Sequence, residues 1–150
     1  RSQSKPVTAR EVKQKKTPAE VQKDARVAEL RGQISQWLTQ GNLAAAADLY
    51  IELVAIDPEQ ILPRQHLLDV ANQLAGNQRP AQAARAYEQF LTHYGNYEYA
   101  EQVELMLGIL YARYLSQPEE AVKHLRSAVD RLSDPGQLEM CRAELARLEA

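Results

Sequence analysis

The chain is poor in the residues that build covalent frameworks and reactive centres. One cysteine, Cys141, stands among 150 residues, with one tryptophan and one phenylalanine. A lone cysteine makes no internal disulfide, so the fold does not depend on an oxidising compartment. No run reaches the roughly 18–20 apolar residues of a membrane span, and no signal peptide is visible. The six glycines and seven prolines fall at punctuation points, which excludes collagen-like and low-complexity chains. β-Branched residues are sparse, while Ala, Leu, Gln, Glu and Arg dominate. That composition belongs to an all-α protein.

Signatures of catalysis are missing as well. There is no Gly-rich phosphate loop and no Gly-x-Ser-x-Gly elbow. His66, His93 and His124 lie on different predicted helices or at their ends, without His-x-x-x-His or Cys-x-x-Cys spacing. They read as surface or packing histidines. Glu101 and Glu104 sit one helical turn apart, but nothing beside them in the sequence makes an acid–base pair. Cys141 falls on an apolar stripe and reads as a small buried hydrophobe. The expectation is no catalytic residue, no metal and no cofactor, hence no enzyme activity in this stretch.

Charge is unevenly spread. Residues 1–16 carry six basic side chains against Glu11, a balance of +5, so the remainder carries −7 of the net −2. An acidic body argues against nucleic acid as a partner, because duplex binding needs Lys and Arg clustered towards phosphates. Residues 1–16 lack apolar periodicity and read as a flexible basic linker. They are either a solvated tail or a juxtamembrane segment drawn to anionic lipid, worth roughly 1 kcal/mol per basic residue near such a surface. The chain begins with Arg rather than Met, and we expect it to be a fragment of a longer protein.

What is present is a repeat. A small residue is followed four positions on by a large one and three further on by another apolar one. The copies are Ala46, Tyr50, Leu53; Ala83, Tyr87, Phe90; and Ala121, Leu125, Ala128. Spacing i, i+4, i+7 is one face of a helix, and recurrence every 37 or 38 residues means stacked helical units. Thr17-Pro18-Ala19-Glu20 opens the first helix as a capping box with Pro at the first turn, and Gly41 stops it. Val27, Leu30, Ile34, Trp37 and Leu38 form its inward face. A second helix runs from Leu43 to Asp57-Pro58. The next pair spans Leu62–Ala75 and Pro80–Tyr94, with a turn at Gly76-Asn77. The third pair runs from Tyr97 and from Pro118 to about Leu132, and a last helix follows Pro135-Gly136. Gly108, inside a helix, costs roughly 1 kcal/mol relative to Ala, which points to a neighbouring helix too close for a Cβ.

These residues resemble the tetratricopeptide repeats (TPR), helical hairpins of about 34 residues with a Gly-containing turn and a small–aromatic–small series. Trp37, Gly41-Asn42, Ala46, Tyr50 and Asp57-Pro58 carry the likeness in the first repeat. Leu107-Gly108, Tyr111, Ala121 and Ala128 carry it in the third. The second departs most, with Phe90 at a small position and no Asp-Pro ending. The resemblance implies an all-α, right-handed α-solenoid of three hairpins at about 27–60, 61–96 and 97–135, plus a capping helix at 136–150. Residues 17–150 would form this one domain. It further implies a concave groove that binds a partner peptide or helix, presenting Arg31, Ser35, Gln65, Asn72, Gln102 and Arg113. One TPR subfamily grips a chaperone tail's carboxylate with a Lys, Asn, Asn, Lys, Arg set. The matching places here are Arg31, Ser35, Asp69, Gln102 and Met106, which do not make that clamp.

The stretch Leu62–Gln65, Leu68–Leu74, Ala86–Leu91 and Gln102–Leu115 is also similar to cytoplasmic tails of some bacterial membrane proteins of rhomboid type. That likeness implies a cytoplasmic module tethered to the membrane through a missing upstream segment. An alternative binding patch is the loop with Tyr94, Tyr97 and Tyr99, since Tyr is favoured at interfaces. The same tyrosines instead plug the joint between the second and third hairpins in the other reading. The leading expectation is a protein–protein interaction module. Its rivals are a regulatory or docking tail of a membrane protein, such as an intramembrane protease, and a homo-oligomerisation domain, so the chain would be a monomer or a homodimer.

Overall fold

The computed structural model describes residues 15–150, so the basic linker lies almost wholly outside the described residues. These form seven α-helices and no strand: α1 (Pro18–Thr39), α2 (Leu43–Ile56), α3 (Arg64–Gly76), α4 (Pro80–Tyr94), α5 (Ala100–Arg113), α6 (Pro118–Val129) and α7 (Pro135–Leu148). The all-α expectation holds. Helices packed side by side follow chain order: α1 with α2, α3 with α4, α5 with α6, each pair resting on the next, and α7 touching both α6 and α5.

The helix starts follow local chemistry. Thr17 Oγ1 accepts from the Glu20 amide at 3.1 Å while the Thr17 amide donates to Glu20 Oε1 at 2.9 Å. Both halves of the capping box therefore satisfy amides that the first turn leaves without partners. Asn42 caps α2 and Asp134 caps α7 with a single bond each, their side chains accepting from the amides of Ala45 and Gln137. α3 starts two residues later than the periodicity suggests, because Pro63 steers Leu62 away from helical backbone. Leu62 is instead buried in the linker. Trp37 corrects a second expectation. The stripe Val27, Leu30, Ile34 continues onto Leu38, four residues on, and leaves Trp37 turned outward at 37% exposure.

The three hairpin turns repeat in register. A residue with left-handed backbone stands two positions before the second helix of each pair: Gly41 (φ 79°), Gln78 (φ 60°) and Ser116 (φ 53°). Only the first is glycine, which takes this conformation without a Cβ clash.

The buried side chains divide into two clusters. The larger runs from Val27 to Leu110 and draws on α1 through α5. The smaller gathers Leu105, Leu125, Ala128, Leu132 and Cys141 from α5, α6 and α7 and their links. α5 belongs to both, and at Gly108 it meets α6 most closely. A Cβ there would lie 2.6 Å from Leu125 Cγ and 3.3 Å from the Ala121 carbonyl oxygen. Gly108→Ala gains roughly 1 kcal/mol of helix propensity but forces two helices apart, for which overpacking costs are about 1–3 kcal/mol. We expect a net loss of about 1 kcal/mol, read as a fall in Tm of roughly 2–4 °C. An unchanged or raised Tm would mean that α6 yields freely.

Glu144 ties α7 down. It is 3% exposed, yet Arg113 Nη2 donates to its Oε1 at 2.9 Å and Arg147 pairs with Oε2. Burial pushes this carboxyl up, but hydrogen bonds from Arg147 and Arg113 outweigh it and hold the pKa below its ordinary value. A carboxylate depressed in the folded state adds stability above its unfolded pKa, about 4.3, and loses it as pH falls through the folded value. The Tm advantage of wild type over Glu144→Gln should therefore be full near pH 6–7 and shrink below about pH 4.3. A gap that stays constant from pH 7 to pH 3 would contradict this.

Candidate functional site

Both charged side chains that the sequence offers as partner contacts, Arg31 and Arg113, are engaged within the chain. Arg31 donates from Nη1 to the Ile61 carbonyl at 2.8 Å and to Gln60 Oε1 at 3.0 Å, strapping α1 to the link between the first two hairpins. Arg113 reaches Glu144. Gln65 is exposed and donates to Asp69 Oδ1 on the next turn at 2.8 Å. Ser35 is exposed on α1.

Asn72 and Gln102 belong to a different surface. Together with Leu68, Tyr97, Tyr99, Met106 and Gln137 they line a depression of about 260 Å³ between α3, the 95–99 link, α5 and the start of α7. Tyr87 donates to Asn72 Oδ1 at 2.5 Å and so fixes the amide's orientation. Every lining side chain is uncharged. Tyr99 is 46% exposed and Met106 39%. Two of the six groove residues and two of the three loop tyrosines thus meet on one surface. Arg31, Ser35, Gln65, Arg113 and Tyr94 lie outside its lining.

The tyrosine loop serves two purposes. Tyr94 donates to the Leu62 carbonyl at 2.8 Å and packs on Phe90 with ring centroids 5.5 Å apart. Tyr97 meets Phe90 edge-on at 5.4 Å, beneath the Arg64 guanidinium. These two fill the joint between hairpins. Tyr99 leans on Tyr97 at 5.6 Å and stays open to solvent.

A second, larger groove of about 870 Å³ runs between α2 and α4 and ends at Tyr111, Leu115 and Gln117. Beside it stands a group that reasoning from the sequence did not find. His124 of α6, 5% exposed, is enclosed by Glu104 of α5, Glu88 of α4 and Glu120 one turn before it. Burial works against protonation of its imidazole, but the hydrogen bond and charge of Glu104, with Glu88 adding to them, win and raise its pKa. Tyr111 stacks on the imidazole at 5.7 Å and donates to Glu88 Oε2 at 2.6 Å. The one sequence signal for this cluster is Glu120-x-x-x-His124, which places two side chains on one helical face. Glu88 and Glu104 come from separate helices, and linear spacing does not connect them. Cys141 is buried, with its thiol donating to the Leu125 carbonyl at 3.3 Å, and burial raises its pKa.

No protein-family model matches the chain, and no curated protein matches it significantly.

Among the described residues, no helix is long and apolar enough to cross a membrane. For Arg31 the geometry predicts a stabilising role. Arg31→Ala removes two hydrogen bonds from a charged donor at a half-buried joint and should lower stability by about 1–2 kcal/mol. Urea unfolding would read this as a fall in midpoint at constant slope, and an unchanged midpoint would release Arg31 from that role.

Proposed function

We propose that this chain is a protein-interaction module of the tetratricopeptide-repeat kind. In this reading the hairpins stack as a right-handed α-solenoid, α7 caps its end, and α1, α3 and α5 line the concave face. The architecture is supported by two recurrences that share one period: the small–large–apolar triplets and the left-handed residues at 41, 78 and 116. The module acts by binding, without catalysis of its own. We place it in the cytoplasm, since a fold with one buried thiol needs no oxidising compartment.

The observation that carries the binding reading is the uncharged depression at Asn72 and Gln102. Its 260 Å³ lies below the roughly 300–1,000 Å³ of pockets for free small ligands, and suits one or two side chains of a bound chain. The amides of Asn72, Gln102 and Gln137 each both donate and accept, which matches the alternating groups of an extended backbone. Tyr99 and Met106 supply exposed contact area of the types enriched at interfaces. The ligand is therefore an extended partner segment that inserts an apolar side chain between Leu68, Tyr97 and Met106.

Selection of displayed random peptides on the immobilised chain tests this. Enriched peptides should carry a recurrent apolar residue, and their affinity should fall at least tenfold in Met106→Glu and Gln102→Ala proteins that melt like wild type. Peptides whose binding survives both substitutions would move the site to the groove between α2 and α4. A chain of 33.8 kDa in solution, twice its 16.9 kDa, that selects no peptide would make it an oligomerisation domain instead.

A further inference from the structure

The enclosure around His124 has an imperfection that a purely structural ion-pair network would not need. His124 Nδ1 lies 3.2 Å from Glu104 Oε2, within hydrogen-bonding distance. The opposite ring nitrogen, Nε2, is buried and has no hydrogen-bond partner. It points between two carboxylates, 3.3 Å from Glu88 Oε2 and 3.9 Å from Glu120 Oε1. The three donor atoms lie within 4.8 Å of one another. A buried polar atom without a partner costs about 1–3 kcal/mol, and with the ring neutral and its proton on Nδ1, a cation is the partner that the Nε2 lone pair fits.

We propose that Glu88, Glu120 and His124 bind a divalent transition-metal cation, with Zn²⁺ as the fitting ion. Tetrahedral Zn²⁺ with bonds of about 2.0 Å sets neighbouring donor atoms about 3.3 Å apart. His124 Nε2 and Glu88 Oε2 already stand at that separation, and Glu120 closes the remainder by a rotation of a side chain that is 43% exposed. One imidazole and two carboxylates suit such an ion and leave a fourth position for water.

The surroundings are those of a metal ligand set. Glu104, 13% exposed, holds Nδ1 as the protonated nitrogen, which leaves the Nε2 lone pair for the ion. Tyr111 OH orients Glu88. Lys123 stands 3.8 Å from Glu120 Oε1, the one cation paired with the cluster among the described residues, and it is 69% exposed and so easily displaced. Glu88 and Tyr111 also line the large groove, which gives the ion a path from solvent. Bound there, the ion would join α4 of the second hairpin to α6 of the third.

The test uses the 150-residue chain stripped with chelator, then titrated with Zn²⁺ by calorimetry and with Co²⁺ by visible absorption. We expect one ion per chain, tetrahedral Co²⁺ bands, and a Tm that rises with Zn²⁺. Glu120→Gln and Glu88→Gln should abolish the Co²⁺ bands, and Glu104→Gln should weaken Zn²⁺ about 10–100-fold. These variants change one heavy atom each, so their Tm in chelator reports whether the fold survives, which a truncation such as His124→Ala puts at risk. No stoichiometric binding by the stripped wild type would overturn the proposal. So would Zn²⁺ affinity that Glu120→Gln and Glu88→Gln leave unchanged.

Discussion

The close approach of α5 and α6 at Gly108 sets the positions of everything around it. Glu104, Gly108 and Tyr111 follow one another at i, i+4, i+7 along α5, so they share a face. At Gly108 that face meets Ala121 and Leu125 of α6, two members of the third copy of the repeated triplet. With no Cβ at 108, Leu125 settles against the α5 backbone. His124, one residue away on α6, is then carried in between Glu104 and Tyr111. The apolar contact and the charged enclosure are two sides of the same helix crossing.

The same crossing divides the interior. Leu105 of α5 looks towards the α6–α7 cluster, while Val103, Leu107 and Leu110 look towards the larger one. Polar ties then reinforce the joints between successive helices within these clusters. Arg31 links α1 to the second hairpin, Tyr94 links α4 to Leu62, and Arg113 links α5 to α7. Arg79 to Asp48, at 3.1 Å, adds a tie between α4's start and α2. Long polar side chains here connect successive units and only secondarily decorate the surface.

Much of the fold was legible because it is written locally. The Thr17–Glu20 capping box, the prolines opening α1, α4, α6 and α7, and the glycine inside α5 each act within a few residues or on one neighbour. Trp37 was misplaced because two residues three and four positions after Ile34 compete for one face, and only the packing of Leu38 decides between them. The candidate site was legible in part. Asn72 and Gln102 fall on repeat-equivalent faces, and the depression does join them with Tyr97 and Tyr99. The engagement of Arg31 and Arg113 was not readable, because their partners Ile61 and Glu144 lie 30 and 31 residues away. The enclosure of His124 escaped for the same reason, as it assembles from three helices.

The hairpin turns are not equally relaxed. Glycine fills the left-handed place at 41 without strain, while Gln78 and Ser116 hold it with a side chain attached, at a cost of roughly 1–2 kcal/mol each. Strain held at a turn is released when that turn opens, so local opening is easier at the second and third turns than at the first. Amide hydrogens around Gly41 should therefore exchange more slowly than those at the strained turns of Gln78 and Ser116.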